Sequence, residues 1–146
     1  MGAKNSKLLL VDDSEDDRAL FALAFSRADT DMELLSPMAD GEDAISYLSG
    51  VANYADREQH PYPQVLILDL KMPGKSGFDV LEWLRNQPMR PLTIVLSGSD
   101  HRADIDRAIE LGADYYQVKP PGLTDWVGTI KVLDDFCKRE LGGAEA

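Results

Sequence analysis

Val65-Leu66-Ile67-Leu68-Asp69-Leu70-Lys71-Met72-Pro73-Gly74 is the stretch whose reading decides the fold. An apolar run passes into a single carboxylate, and turn residues follow at once. Bounded by Pro63 on one side and Pro73-Gly74 on the other, it reads as a strand buried on both faces, as in a parallel sheet. An acid at the C-terminal end of such a strand stands on the rim where open α/β sheets bind ligands. Asp also caps turns after strands, so Asp69 taken alone assigns no chemistry.

Other segments repeat the arrangement. Lys7-Leu8-Leu9-Leu10-Val11 ends at Asp12 and Asp13, and Leu92-Thr93-Ile94-Val95-Leu96 ends at Ser97-Gly98-Ser99-Asp100. Asp114-Tyr115-Tyr116-Gln117-Val118 is closed by Lys119-Pro120-Pro121-Gly122. Met32 to Ser36 makes a brief strand, and Pro37 suits an edge because it cannot donate to a ladder.

Helices are expected between these runs. Ser14 and Asp17 have capping-box spacing ahead of Leu20, Leu23, Ala24 and Ala28, a face that Phe21 and Phe25 widen, and Ser76 with Asp79 repeats it ahead of the stripe Phe78, Leu81 and Leu84. Asp40-Gly41 opens another helix, and residues 49–64 read as its extended end plus a surface loop. Ile105, Ala108 and Ile109 mark the inward face of a helix that Gly112 can terminate, and a last helix runs from Asp125 to about Leu141.

Strands and helices in alternation predict an α/β fold, the flavodoxin-like doubly wound (βα)5 parallel sheet with strand order 2-1-3-4-5. That order brings Asp12, Asp13, Asp69, Ser97 and Lys119 to one edge.

The chain of 146 residues suits one domain, expected over residues 7–141, with a disordered tail at 1–6 and a loose one at 142–146. No output domain is expected. Lys and Arg number 15 against 26 Asp and Glu, a formal charge of −11, which disfavours nucleic acid as a partner. No apolar run is long enough to span a bilayer. The single cysteine, Cys137, forms no internal disulfide and agrees with a cytoplasmic location.

Three carboxylates gathered without histidine or thiol favour a hard, oxygen-loving cation, Mg²⁺ rather than zinc. With their repulsion cancelled, one carboxylate can attack phosphorus. Lys119 then offers a charge, and Ser97 a hydroxyl, to phosphoryl oxygens.

From about Lys7 to Leu141 the chain resembles the receiver domains of two-component response regulators. The resemblance rests on Val11-Asp12-Asp13, Asp40-Gly41-Glu42-Asp43-Ala44, Leu68-Asp69-Leu70-Lys71-Met72-Pro73-Gly74, Gly77-Phe78, Leu96-Ser97-Gly98-Ser99, Gly112-Ala113 and Lys119-Pro120. It implies that Asp69 accepts a phosphoryl group from a histidine kinase or a histidine phosphotransfer protein, and that the chain catalyses its own phosphorylation and dephosphorylation. It implies Mg²⁺ held by Asp13 and Asp69 with the Lys71 backbone carbonyl, Asp12 acting through water. Ser97 moves to the phosphoryl group and Tyr116 swings inward behind it, remodelling the face of the fourth helix, fifth strand and fifth helix. Met72, Gly98, Ser99 and Pro120 flank the site, and the Lys119-Pro120 bond is expected to be cis. The long 49–64 connection and the segment Phe78 to Arg85 look similar to stand-alone receivers of the phytochrome-coupled kind.

Competing readings differ at particular residues. A haloacid-dehalogenase phosphatase places a second acid two positions after its nucleophile, where this chain has Lys71. A flavodoxin-like FMN binder needs a phosphate-cradling loop after the first strand, where Asp12-Asp13-Ser14-Glu15-Asp16 would repel phosphate. A receiver-fold scaffold not regulated by phosphorylation is the remaining alternative. In the last helix Trp126, Ile130, Leu133, Cys137 and Leu141 make an inward stripe, and Val132 and Phe136 beside it are expected to serve a homodimer or partner interface.

Overall fold

The computed structural model describes residues 5–142. The short apolar runs become β1 (Lys7–Val11), β2 (Glu33–Leu34), β3 (Val65–Leu68), β4 (Leu92–Ser97) and β5 (Tyr115–Val118). All pair in parallel, in the order β2-β1-β3-β4-β5. The helices are α1 (Glu15–Arg27), α2 (Gly41–Ser49), α3 (Gly77–Arg85), α4 (Arg102–Glu110) and α5 (Leu123–Gly142).

Alternation along the strands sorts the helices into two layers. Leu66 and Leu68 of β3 point into the core under α2, α3 and α4, with Leu48, Phe78, Leu81 and Ala108. Val65 and Ile67 point the other way, against Phe21 and Ala24 of α1 and Trp126 and Ile130 of α5. The central strand is therefore apolar throughout because both of its faces are covered, and its first carboxylate appears only where the strand ends.

Caps fix where the helices start. The Ser76 hydroxyl accepts from Asp79 N while Asp79 accepts from Ser76 N at 2.9 Å, a complete capping box. At α1 only half of that box forms: Ser14 Oγ accepts from Asp17 N at 3.2 Å, and the Asp17 carboxylate is engaged elsewhere.

Several sequence expectations are corrected. In α1 Phe21 and Ala24 of the expected apolar face are buried, whereas Leu23 is 42% exposed, because the stripe falls one position later than its leucines suggest. Ile109 is 47% exposed, and Ala108 alone of α4 is buried. Helix α2 does not extend into the connection: Gly50 takes φ +68 and its N–H closes on the carbonyls of Ser46 and Tyr47. A 3₁₀ turn at Ala52–Tyr54 follows. Arg57 then donates back to the carbonyls of Tyr47 (2.8 Å) and Leu48 (2.9 Å), which ties down the long connection.

Phe136 is also not free. Its ring lies 4.9 Å from that of Tyr115, so it packs at the core margin, and Val132, 50% exposed, is the apolar residue left outside. Contacts continue to either side of residues 7–141: Asn5 N donates to Asp31 O, Ser6 is buried, and α5 reaches Gly142. The rest of the expected loose tails, 1–4 and 143–146, lies outside the described residues. No peptide bond among the described residues is cis, so Lys119-Pro120 is trans. That is the ordinary isomer of an X-Pro bond, and Lys119 reaches the carboxylates without the other.

Candidate phosphoryl-transfer site

The register β1–β3 sets Val11 beside Leu68, so the residues that follow each strand, Asp12 and Asp69, emerge side by side. The backbone confirms it: Asp69 N donates to Val11 O at 3.0 Å. Asp12, Asp13 and Asp69 each offer a carboxylate oxygen within 4.8 Å of the others, and Asp13 is exposed while the other two are buried.

Lys119, at the end of β5, crosses β4 to reach them. Its Nζ lies 2.9 Å from Asp12 Oδ2, 3.2 Å from Asp69 Oδ2 and 2.7 Å from Asp17 Oδ2. Asp17 is a site residue that its capping spacing concealed, since the same spacing that starts α1 also turns the carboxylate toward Lys119. Arg18 donates to the Asp12 carbonyl at 2.7 Å, and Asp12 Oδ1 accepts from Ser14 N at 2.9 Å. Both contacts fix the first acid from the helix side.

Burial pushes the Asp69 carboxyl above its ordinary value; the Lys119 charge opposes this and the Asp12 charge adds to it. For Lys119, burial works against the charged form, but hydrogen bonds to Asp17 and Asp12 and the charge of Asp69 prevail and raise its pKa. The ammonium therefore stays charged.

Gly77 explains how closely α3 approaches. A Cβ there would lie 2.2 Å from Asp69 O and 2.8 Å from Leu70 Cα, and Gly77 N donates to Leu70 O at 3.0 Å. The start of α3 thus rests on the backbone that carries Asp69.

Ser97 is buried at the end of β4, and its Oγ accepts from Ser99 N at 3.2 Å. The Ser99 hydroxyl donates to Asp104 Oδ2 at 2.6 Å, and the Ser99 carbonyl accepts from Tyr116 Oη–H at 2.8 Å. Tyr116 faces the core under α3 and α4, and Tyr115 the opposite one. Lys71, 64% exposed, lies 3.4 Å from Asp104 Oδ2. Asp104 went unnoticed in the sequence because it lies outside every strand end. Met72 is buried, Pro120 half-buried, and Gly98 exposed beside the cluster. A cavity of about 430 Å³ is bordered by Leu35, Met38, Tyr47, Tyr54 and His60, and no site carboxylate lines it.

An all-oxygen cluster of three carboxylates at one mouth fits a hard divalent cation. With an adjacent ammonium and a buried hydroxyl, the cluster has the parts for moving a phosphoryl group onto a carboxylate.

The family model for the response regulator receiver domain matches residues 8–131. Response regulator Rcp1 of Synechocystis is 30% identical over 131 residues, covering 88% of this chain and 86% of Rcp1. Response regulator RPA3017, of red light signalling in R. palustris, superposes with a TM-score of 0.83 at 32% identity, over 90% of this chain and 92% of that one. The phosphorylated cyanobacterial phytochrome response regulator RcpA gives a TM-score of 0.82 at 28% identity, over 91% and 94%. The structure of Rcp1 that aligns here, with a TM-score of 0.79 at 29% identity over 91% and 94%, is its Mn²⁺-bound form. The chain spans less than half of the transcriptional regulators it also matches, 44% of one and 48% of another.

Proposed function

The chain belongs to the response regulator receiver family, and from that premise we propose that it is a phosphorylation-driven switch with Asp69 as phosphoacceptor. The donor is a phosphohistidine on a sensor histidine kinase or a histidine phosphotransfer protein. The observation that carries this reading is Lys119 Nζ lying between Asp12 and Asp69, with Asp13 beside them. Any buried acid calls for a counter-charge, and an ammonium shared by clustered acids also stands ready for the further negative charge of a phosphoryl group.

In the transfer, an Asp69 oxygen forms the bond to phosphorus as the bond from phosphorus to the imidazole nitrogen breaks, and the electron pair returns to the ring. Lys119 neutralises one phosphoryl oxygen and Ser97 donates its hydroxyl to another. Asp12, Asp13 and Asp69 with the Lys71 carbonyl would hold Mg²⁺, which supplies charge neutralisation for the phosphoryl oxygens. Metal binding by Rcp1 supports the choice of a divalent cation. Movement of Ser97 and Tyr116 passes the event to the face of α4, β5 and α5.

The likeness to phytochrome response regulators favours a phytochrome-type kinase as donor and a cytoplasmic setting. Among the described residues no helix is long and apolar enough to cross a membrane. The output is contact with another protein or a second copy through α5, with Val132 as its exposed apolar residue, and not contact with nucleic acid.

Intact mass after incubation with acetyl phosphate tests this. One phosphoryl adduct in the parent, absent without Mg²⁺ and in Asp69→Asn, is expected. An unmodified parent, under conditions that preserve an acyl phosphate, would overturn the reading.

A further inference from the structure

β2 ends the strand order, so no strand pairs with its outer side. Its bonds to β1 leave from alternate residues, Glu33 N to Ser6 O and Leu35 N to Leu8 O. Leu34 and Ser36 therefore turn their N–H and carbonyl groups away from β1, as on any open sheet edge. The cavity of about 430 Å³ lies against this edge, bordered by all of residues 33–38 together with Asp43, Tyr47, Tyr54 and His60, and its volume is that of an ordinary ligand site. Its three rings are fixed. Their centroids lie 5.0, 5.2 and 5.9 Å apart, Tyr47 Oη donates to Pro61 O, and Tyr54 Oη donates to Asp43 Oδ1, both at 2.8 Å. No Lys or Arg among the described residues borders the cavity. Of its two acids, Glu33 is paired with Lys7 at 2.6 Å, whereas Asp43 is in no ion pair among the described residues. The ring cluster already takes one guanidinium: Arg57 lies 5.8 Å from the Tyr47 centroid, its N–H groups bound to the carbonyls of Tyr47, Leu48 and His60.

We propose that this groove docks an extended, arginine-bearing segment of a partner protein. The segment adds to the free edge of β2 through the N–H and carbonyl groups of Leu34 and Ser36, and its guanidinium lies on the Tyr54 and His60 rings beside Asp43. Each part of the groove answers to one part of that occupant. In strand addition an edge supplies main-chain bonds and an adjoining pocket selects one side chain. Aromatic faces beside a carboxylate attract a guanidinium more than a neutral side chain. A chain of formal charge −11 draws in a basic partner and repels an acidic one. β2 and β5 are opposite edges of the sheet, so this site lies apart from the face of α4, β5 and α5. It does not depend on Asp69 accepting a phosphoryl group.

Two peptide probes differ only at the central residue, acetyl-Thr-Val-Arg-Val-Thr-amide and its Gln counterpart, and acetyl-Arg-amide is the third probe. Each is titrated into the full chain while the backbone amides are followed by NMR. The arginine peptide is expected to shift the amides of Leu34, Ser36 and Asp43 and to bind roughly fivefold more tightly than the glutamine peptide, the scale of one cation–π contact with an exposed ion pair. Asp43→Asn keeps an acceptor for the Tyr54 hydroxyl and should cut that preference to about twofold, leaving the glutamine peptide unchanged. Ser36→Pro removes an N–H directed away from β1 and spares the bonds to β1. It should weaken both peptides and leave acetyl-Arg-amide as it was. Equal affinity for the two peptides overturns the arginine-bearing occupant. Acetyl-Arg-amide binding as tightly as the arginine peptide, with Ser36→Pro indifferent, makes the cavity a site for free cations and overturns the docking. Groove amides that no peptide shifts at millimolar concentration overturn both.

Discussion

At the scale of single residues, the site is a set of carboxylates that share too few counter-charges. Asp69 is buried among other acids and shares one ammonium with Asp12 and Asp17. Its carboxyl titrates above the ordinary value of 3.8, first because of burial, with Lys119 opposing and Asp12 adding. An acid whose pKa is raised on folding binds more protons in the folded state, so its ionisation costs stability as pH rises through the folded value. Below 3.8 both states are protonated and the penalty vanishes. Asp69→Asn removes an ionisation that folding disfavours, and Lys119 keeps Asp12 and Asp17 as partners. In EDTA at neutral pH the variant should be more stable than the parent by on the order of 1 kcal/mol. The difference should shrink as pH falls toward the ordinary carboxylate range, in urea denaturation followed across pH. Saturating Mg²⁺ should also erase it by supplying the parent with the missing counter-charge. A variant less stable than the parent under all these conditions would show that Asp69 is fully paid for by Lys119.

At the scale of elements, strands, caps and strand order were legible in the sequence, and the residue-by-residue register was not. The runs at Leu8 to Val11 and Val65 to Leu68 announce themselves by β-branched and leucine content between turn residues, and Ser76 with Asp79 announces α3. The register that sets Val11 beside Leu68, and so Asp12 beside Asp69, depends on packing across both layers. Residues 49–64 defeated the reading for a related reason. Arg57 makes its bonds to Tyr47 and Leu48, at sequence distances of 10 and 9, and no local period reports them. Gly77 could be recognised only through a family motif, and its physical cause is the approach of α3 to the Asp69 backbone. Gly77→Ala puts a methyl 2.2 Å from Asp69 O, and backbone cannot yield as a side-chain end can. A loss of roughly 2–3 kcal/mol in urea denaturation is expected, together with slower phosphorylation by acetyl phosphate. Gly98→Ala, where no atom lies within 4 Å, should be close to neutral. Equal stability of the two variants would mean that α3 is free to retreat from β3.

At the scale of the whole molecule, the signal must leave through a surface, and a formal charge of −11 decides what that surface can meet. Two copies repel one another at long range, so any homodimer must draw its affinity from apolar contact close to its axis. The sequence offered Val132 and Phe136 together for that role. Helical spacing alone could not separate them, because it does not report that Tyr115 on β5 takes up one face of Phe136. Val132 is left half-exposed on α5, and an interface with two-fold symmetry built around it would set each copy against its twin. Light scattering of the phosphorylated protein should then show twice the chain mass. The dimer fraction should rise with salt as screening shortens the repulsion. Val132→Asp would place two like charges across the axis and return the chain mass at every ionic strength, while the phosphoryl adduct from acetyl phosphate still forms on Asp69. A dimer that survives this substitution, or one that salt dissociates, would move the interface off α5 and toward a contact made by charge.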